Sequence, residues 1–226
     1  MIKKCKFALH PKKSIILTKT ATSVTELPIM ETFYTVQGEG FYSGRAAFFI
    51  RIAGCDVGCV WCDVKESWNR NDHKIFLVSD LITQVKESNT DFVVITGGEP
   101  AMYDLTFLTQ ELHKLGVEIA IETSGAYELI GDFDWVCLSP KKFKKPLDSV
   151  VSKAQELKII VFNKSDIEWA ESYASQVSDD CNLYLQAEWS KKEASYELIL
   201  DYITKNTQWR ISVQTCLLYT SPSPRD

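Results

Sequence analysis

Ala46-Ala-Phe-Phe-Ile-Arg-Ile-Ala-Gly-Cys-Asp-Val-Gly-Cys-Val-Trp-Cys62 joins an apolar run of strand length to three cysteines. Cys55, Cys59 and Cys62 have the spacing C-x3-C-x2-C inside eight residues. Thiolate is a soft ligand that suits iron-sulfur clusters, zinc or copper(I). A cubane [4Fe-4S] cluster has four irons and usually takes four cysteines. Three from one short loop leave one iron open to bind something else. An open position separates catalytic from structural zinc centres, and the distinction carries over to iron. Two other readings stand beside the cluster. A zinc ion can take a fourth ligand from Asp63 or His73, and free thiols can pack as small hydrophobes. Trp61, inside the motif, favours the cluster, because an indole there can keep water away and solvent exposure helps set cluster potential.

The chain has 226 residues, 45% apolar and 24% charged, the balance of a globular domain with one sizeable core. Its net charge of −5 gives no basic field for nucleic acid. No apolar run approaches the roughly 18 residues of a membrane span. Seven cysteines, three of them in a metal-type motif, argue against a secreted disulfide framework and for a reducing cytoplasm. Cys5, Cys137, Cys181 and Cys216 have no motif spacing and read as structural or incidental.

Residues 1–27 carry Lys3, Lys4, Lys6, Lys12, Lys13 and Lys19 before the first acid, Glu26. Ile15-Ile16-Leu17 is too short for the apolar core of a signal peptide. The stretch reads as a solvated N-terminal extension with a short strand at 14–18. Strands are expected at 29–36, 46–53, 91–96, 117–122, 134–139, 157–162, 182–186 and 209–213. Helices are expected from Ser79 as N-cap to Ser88, and from Asp104 as cap to Gly116. A third starts at a Ser165-x-x-Glu168 capping box and runs to Val177. A fourth spans Lys191–Asn206, with Ala194, Leu198, Tyr202 and Ile203 near one face. Val- and Ile-rich strands alternating with helices mean βαβ units and a parallel sheet buried on both faces. Six strands from 46 to 186 are too few for a closed eight-stranded barrel, so a partial barrel or a doubly wound sheet fits.

In such folds ligands bind beyond the carboxyl ends of the strands. The cysteine loop follows one strand, and Thr96-Gly97-Gly98-Glu99-Pro100 follows the next. Glu122-Thr123-Ser124-Gly125, Ser139-Pro140-Lys141 and Gln186 follow others. Any one of these is more often a turn, but five on one rim with a metal motif make a site. Bare glycine backbone can offer carbonyls to an ammonium, and Glu99 adds a counter-charge, so this loop suits a zwitterion. Glu122 and Ser124 can take ribose hydroxyls. Within the run Lys141, Lys142, Lys144 and Lys145 only Lys141 is placed at the site, since charge runs are usually solvated. Arg51 interrupts an apolar strand just before the cysteine loop, and Arg is rarely buried unless paired. It reads as pointing into a pocket to hold an anion. Gln37-Gly38-Glu39-Gly40 lacks the third glycine of a phosphate loop, and no Walker pattern is present.

C-x3-C-x2-C after one strand and Gly-Gly-Glu-Pro after the next resemble the signatures of the radical S-adenosylmethionine superfamily. From Glu31 to Thr215 the chain is similar to its 7-carboxy-7-deazaguanine synthase family. That rests on Val36-Gln37-Gly38-Glu39-Gly40, Phe49-Ile50-Arg51, Ala53-Gly54-Cys55, Trp61-Cys62-Asp63, Ser139-Pro140-Lys141 and Tyr184-Leu185-Gln186. The resemblance implies an open, partial β/α barrel of about six parallel strands over residues 28–215. It implies a [4Fe-4S] cluster on Cys55, Cys59 and Cys62, and S-adenosylmethionine bound at the open iron. One electron releases methionine and a 5′-deoxyadenosyl radical, which takes a hydrogen from 6-carboxy-5,6,7,8-tetrahydropterin. The ring contracts, ammonia leaves, and the cofactor is regenerated; the cofactor supplies the radical chemistry and the protein orients it. It places Trp61, Asp63, Gly98, Ser139, Pro140, Lys141 and Gln186 along S-adenosylmethionine, with Glu99, Glu122 and Ser124 as read above. It places Val36, Gln37, Gly38, Arg51 and Thr96 on the pterin, Arg51 at its carboxylate, and names no base. It further implies a flavodoxin- or ferredoxin-type electron donor, a homodimer and a role in queuosine biosynthesis.

Two departures stand out. Family members carry Thr or Ser after Cys-Asp, whose hydroxyl ligates Mg2+. Val64 stands there and offers no side-chain oxygen, so magnesium would rest on substrate, water and Asp63 or be absent. The family tends to end in Gln-Thr-His-Lys, whereas Gln214-Thr215 runs on into Cys216–Asp226. That stretch, 216–226, resembles translated sequencing-adaptor read-through and is expected to be a non-native tail. Two rivals remain. A glycyl-radical activase shares the cysteine motif, but Gln37-Gly38-Glu39-Gly40 and Arg51 speak against it. A zinc-binding structural module leaves Arg51 and Thr96 without a role.

Overall fold

Glu26–Val36 forms β1, which pairs antiparallel with both β2 (Ala46–Ile52) and β3 (Lys74–Leu77). From β2 the sheet continues in parallel through β4 (Phe92–Gly97), β5 (Glu118–Thr123), β6 (Trp135–Leu138), β7 (Glu156–Val161), β8 (Asn182–Ala187) and β9 (Trp209–Ser212). The order among the described residues is β3-β1-β2-β4-β5-β6-β7-β8-β9, nine strands with β3 and β9 at the two ends. This computed structural model describes residues 24–217. The expected strand at 14–18, Cys5 and most of the expected tail lie outside the described residues. The seven strands β2 and β4 to β9 run parallel, one more than expected, because β9 joins the sheet beside β8.

Each parallel strand sends alternate side chains to opposite faces. Ile50 and Ile52, Val93 and Ile95, Ile119 and Ile121 point to one side, where Leu81 and Val85 of α1 (Val78–Ser88) and Leu108 and Leu112 of α2 (Thr106–Lys114) cover them. Leu157, Ile159 and Leu185 do the same further along. They meet α3 (Asp148–Val151), α4 (Lys164–Ala174) and α5 (Lys192–Ile203). The other face is apolar only at its lower end, with Ala47, Phe49, Phe92, Val94 and Ala120. Arg51 of β2 and Gln186 of β8 line one cavity although five strand spacings, about 24 Å in a flat sheet, separate them. The sheet therefore curls around that cavity without closing, as a partial barrel.

Local details differ from the sequence reading at several ends. β1 starts at Glu26, two residues inside the stretch expected to be extension, because Leu27 pairs with Phe76 and is buried. β3 was not expected; Lys-Ile-Phe-Leu is short and half exposed, and shows no alternation. α1 starts two residues early, with Leu77 at the N-cap position, and Ser79 does not cap it. The Val78 amide instead donates to the Thr25 carbonyl at 2.8 Å. The α4 capping box sits two residues upstream, where Asn163 and Asp166 exchange hydrogen bonds and Asp166 accepts from the Asn163 amide at 2.8 Å. α4 ends at Ala174 and α5 at Ile203. On α5, Ser195 and Ile199 carry the buried seam, and Ala194 is exposed.

Ile95 is fully buried between the sheet and α1 and α2. Ile95→Ala is expected to cost about 2–5 kcal/mol of unfolding free energy, read by urea denaturation.

Candidate active site

The cysteine loop leaves β2 at a tightly bonded root. The Gly54 amide donates to the Ser67 carbonyl at 2.6 Å, and the Cys55 amide to the Trp68 carbonyl at 3.1 Å. Gly54 has φ +107°, a conformation L side chains rarely adopt. At the tip, the Cys62 amide donates to the Cys59 carbonyl at 3.0 Å. Asp56 ties the loop sideways, accepting from Lys144 Nζ at 2.9 Å and from the Tyr127 hydroxyl at 2.5 Å. Lys144 is thus a tether in the charge run, while Lys142 pairs with Asp166 at 2.6 Å. Burial raises the Cys55 thiol and pushes the Cys59 thiol up to about 11, so metal binding has to displace those protons.

The glycine loop after β4 is pressed against this root. The Gly98 amide donates to the Ile52 carbonyl, and the Glu99 amide to the Gly54 carbonyl, both at 2.9 Å. A Cβ on Gly98 would lie 2.4 Å from the Gly54 carbonyl oxygen and 2.9 Å from Cys55 Cβ. Glu99 is buried and committed inside the protein. It accepts from Thr123 Oγ1 at 2.6 Å, from the Ser124 amide at 2.8 Å, from the Ala101 amide at 3.0 Å and from the Ser124 hydroxyl. These bonds lock the end of β5 to the end of β4, so the Glu99 carboxylate and the Ser124 hydroxyl already have internal partners.

On the inner face the upper positions are ionic. Lys158 Nζ, buried in the middle of β7, is 2.6 Å from Glu39 Oε2 and 3.5 Å from Glu122 Oε1. Glu122 also accepts from Gln37 Nε2 at 3.0 Å and from Thr96 Oγ1 at 3.3 Å. Burial pushes the Glu39 carboxyl up, but the Lys158 ammonium beside it outweighs that and leaves it below the usual carboxylate value. Burial alone would depress Lys158, and the acidic groups around it hold it well above its ordinary value. Lys141 differs. Burial lowers its ammonium, which donates to the Ser139 carbonyl at 2.6 Å and has no carboxylate partner among the described residues.

A cavity of about 240 Å3 opens between these groups. It is lined by Cys55, Cys59, Cys62, Trp61, Asp63, Val64, Gly98, Glu99, Glu122, Ser124, Ser139, Lys141 and Gln186, and by Val36, Gln37, Gly38, Arg51 and Thr96. Pro140 lies outside it, on a second cavity of about 640 Å3 that shares Trp61, Cys62, Asp63 and Lys141 with the first. Together the two form a bilobed site in the size range of ligand pockets. Residues 49–153 match the Radical SAM superfamily model. A 7-carboxy-7-deazaguanine synthase of Flavobacterium psychrophilum is 51% identical over 189 residues, covering 84% of this chain and 90% of that protein. The Escherichia coli protein of the same name is 35% identical over 84% of this chain and 96% of its own length. The crystal structure of QueE from Escherichia coli superposes with TM-score 0.75 at 32% identity, covering 83% of this chain and 93% of that one.

The chain belongs to the 7-carboxy-7-deazaguanine synthase family.

Like other members of that family it is a radical S-adenosylmethionine enzyme, and the superfamily implies a [4Fe-4S] cluster and S-adenosylmethionine. The thiols fit that group. All three line one cavity, and three soft thiolates from one loop are a donor set for a cluster with one iron left open. His73, the other zinc ligand considered, is turned to the Glu66 carbonyl at 2.7 Å and lies off both cavities. Reasoning from sequence passed over Glu31, Glu39 and Lys158. Lys158 interrupts an apolar strand just as Arg51 does, and that same signal was there to find it. Phe33, Phe49, Gln214 and Cys216 also line the cavity; the Thr215 hydroxyl next to them donates to the Gly38 carbonyl at 3.0 Å.

Removing Lys158 leaves two half-buried carboxylates without their cation. Lys158→Met is expected to cost about 3–5 kcal/mol in urea denaturation, and adding Glu39→Gln should restore part of it. The depressed Glu39 contributes stability above the ordinary carboxyl value of 4.5, lost as pH falls through its folded value. The raised Lys158 contributes below 10.5, lost only as pH rises through its still higher folded value. Without Lys158, burial leaves the Glu39 carboxyl above its ordinary value, so the difference between wild type and Lys158→Met should stay level from about neutral pH to about pH 10 and shrink as the pH falls below neutral. In a separate measurement, Gly98→Ala should displace the cysteine loop and lower the iron retained per chain after anaerobic reconstitution, with the folded circular-dichroism signal kept.

Proposed function

We propose that the chain converts 6-carboxy-5,6,7,8-tetrahydropterin to 7-carboxy-7-deazaguanine with loss of ammonia. The observation that carries the reading is one cavity lined by three cysteines together with Arg51, Gln37, Thr96 and Glu122. The names of the relatives at up to 51% identity support the substrate. Cys55, Cys59 and Cys62 would hold three irons of the cluster. When bound, the cluster and S-adenosylmethionine supply a one-electron cleavage that ends in removal of a hydrogen atom from the substrate.

The rest is positioning by the chain. Trp61, Asp63, Gly98, Ser139, Lys141 and Gln186 line the lobe next to the cysteines, and Pro140 the adjoining one; both would receive S-adenosylmethionine. Lys141, the cation without a carboxylate, supplies the charge for an anionic group there. Glu99 and Ser124 act by fixing the loops, and Glu122 presents a carboxylate edge to the cavity. Phe33 and Phe49, stacked at 5.1 Å, give the flat pterin an apolar wall. Val36, Gln37 and Gly38 form the rim. Arg51 offers its guanidinium to the substrate carboxylate. A buried valine at position 64 leaves Asp63, substrate and water as the only oxygens for Mg2+ at that point. The family resemblance also supports a flavodoxin- or ferredoxin-type donor, a homodimer and a cytoplasmic location; no helix among the described residues is long and apolar enough to cross a membrane.

Anaerobic reconstitution with carboxytetrahydropterin, dithionite and S-adenosylmethionine tests the reading. Four irons per chain and a ring-contracted product are expected, and Cys59→Ala should reduce deoxyadenosine formation to background. One zinc per chain, or cofactor cleavage that survives in Cys59→Ala, would overturn it.

A further inference from the structure

β1 carries a β-bulge just before the site. Ile29 lies opposite Ile52, but Glu31, two residues on, lies opposite Arg51, only one residue back. Met30 is the extra residue. Side chains alternate with a period of two, so in a regular strand Glu31 would follow Ile29 to the helix-covered side. Ile29 does face that side, buried with Ile52. The bulge turns Glu31 to the inner face beside Arg51, re-aiming a side chain next to a site as bulges do. From there on the new phase holds, and Phe33 and Thr35 line the cavity.

Glu31 takes Arg51 at one position only. Its Oε1 accepts from Arg51 Nε at 2.6 Å, with the two side chains 13% and 11% exposed. The two terminal nitrogens of Arg51 have no hydrogen-bond partner among the described residues, and Arg51 lines the cavity while Glu31 does not. A guanidinium is a planar fork matched to a carboxylate. Held at Nε, it cannot swing, and its outer edge points one way. Charge alone would make an acid beside an anion site unfavourable. Its presence implies that orientation outweighs attraction.

We propose that Glu31 is a positioning residue that fixes the Arg51 fork for the substrate carboxylate, and so sets the preference for carboxylated over uncarboxylated pterins. This rests on the reading of Arg51 as the carboxylate's partner. Reconstituted protein titrated with 6-carboxypterin and with pterin, followed by ligand fluorescence, tests it. Wild type should prefer 6-carboxypterin. Glu31→Ala should lower that preference about tenfold, as should Glu31→Asp, whose arm is one methylene short. Glu31→Gln keeps an acceptor at Nε and should stay within about threefold of wild type. Unchanged binding of pterin itself reports an intact pocket. Should Glu31→Ala fail to fold, Glu31→Asp against Glu31→Gln decides. A preference kept or strengthened in Glu31→Ala, or lost equally in Glu31→Gln, overturns the proposal. No preference in wild type, with none to lose in Arg51→Lys, instead overturns the reading of Arg51 and takes this inference with it.

Discussion

A buried ammonium with carboxylates around it sets the character of the whole inner face. A parallel sheet covered on both sides is ordinarily apolar throughout. Here Lys158 sits in the middle of β7 with almost no exposure, 2.6 Å from Glu39 and 3.5 Å from Glu122. Unpaired, any of these charges would be too costly to bury. Paired, they let one face of the sheet stay polar up to the strand ends without unfolding it. The pairing also ties distant parts of the chain together, since Glu39 comes from the β1–β2 connection, Glu122 from β5 and Lys158 from β7. The curl of the sheet and the polarity of its inside go together, because curling shortens the span these side chains have to bridge.

The second constraint is steric. The glycine loop after β4 and the root of the cysteine loop after β2 touch backbone to backbone, with no space for a side chain at Gly97 or Gly98. Two stretches more than thirty residues apart in sequence act as one rigid shelf. Glu99 extends the shelf to the end of β5 through three of its four hydrogen bonds. Glu99 also lines the cavity, so a residue that looks like a ligand contact in the sequence is a brace in the structure as well.

Much of this was legible in the residues. Alternating strands and helices gave the sheet, and glycine or polar residues after successive strands gave the rim. Thiol spacing gave the centre. Less legible was whatever depends on which strands end up side by side. Lys158 stands out as a lysine in an apolar run, but its partner Glu39 is only an acid in a glycine turn, and nothing local pairs the two. β3 escaped because four half-exposed residues show no period. The α4 box was read two residues late because Ser165 and Glu168 fit the same pattern as Asn163 and Asp166. Local spacing cannot choose between two frames when both supply a capping oxygen and an acid.

The cations of the site divide into two kinds, and the division bears on what each can do. Lys158 is saturated by acids of its own chain, so an incoming anion would gain little from it and would have to compete with Glu39. Arg51 is satisfied on one edge and open on the other. Lys141 has no carboxylate partner among the described residues, lies 5.8 Å from the Trp61 ring centre, and donates to the Ser139 carbonyl. The two cations with capacity left therefore stand at different parts of the cavity, one where β2 passes into the cysteine loop and one at the end of β6. An enzyme that must hold two ligands with one carboxylate each needs two such places, kept apart so that neither ligand takes the other's. The saturated lysine on β7 adds structure to the inner face without adding a third place for an anion to bind.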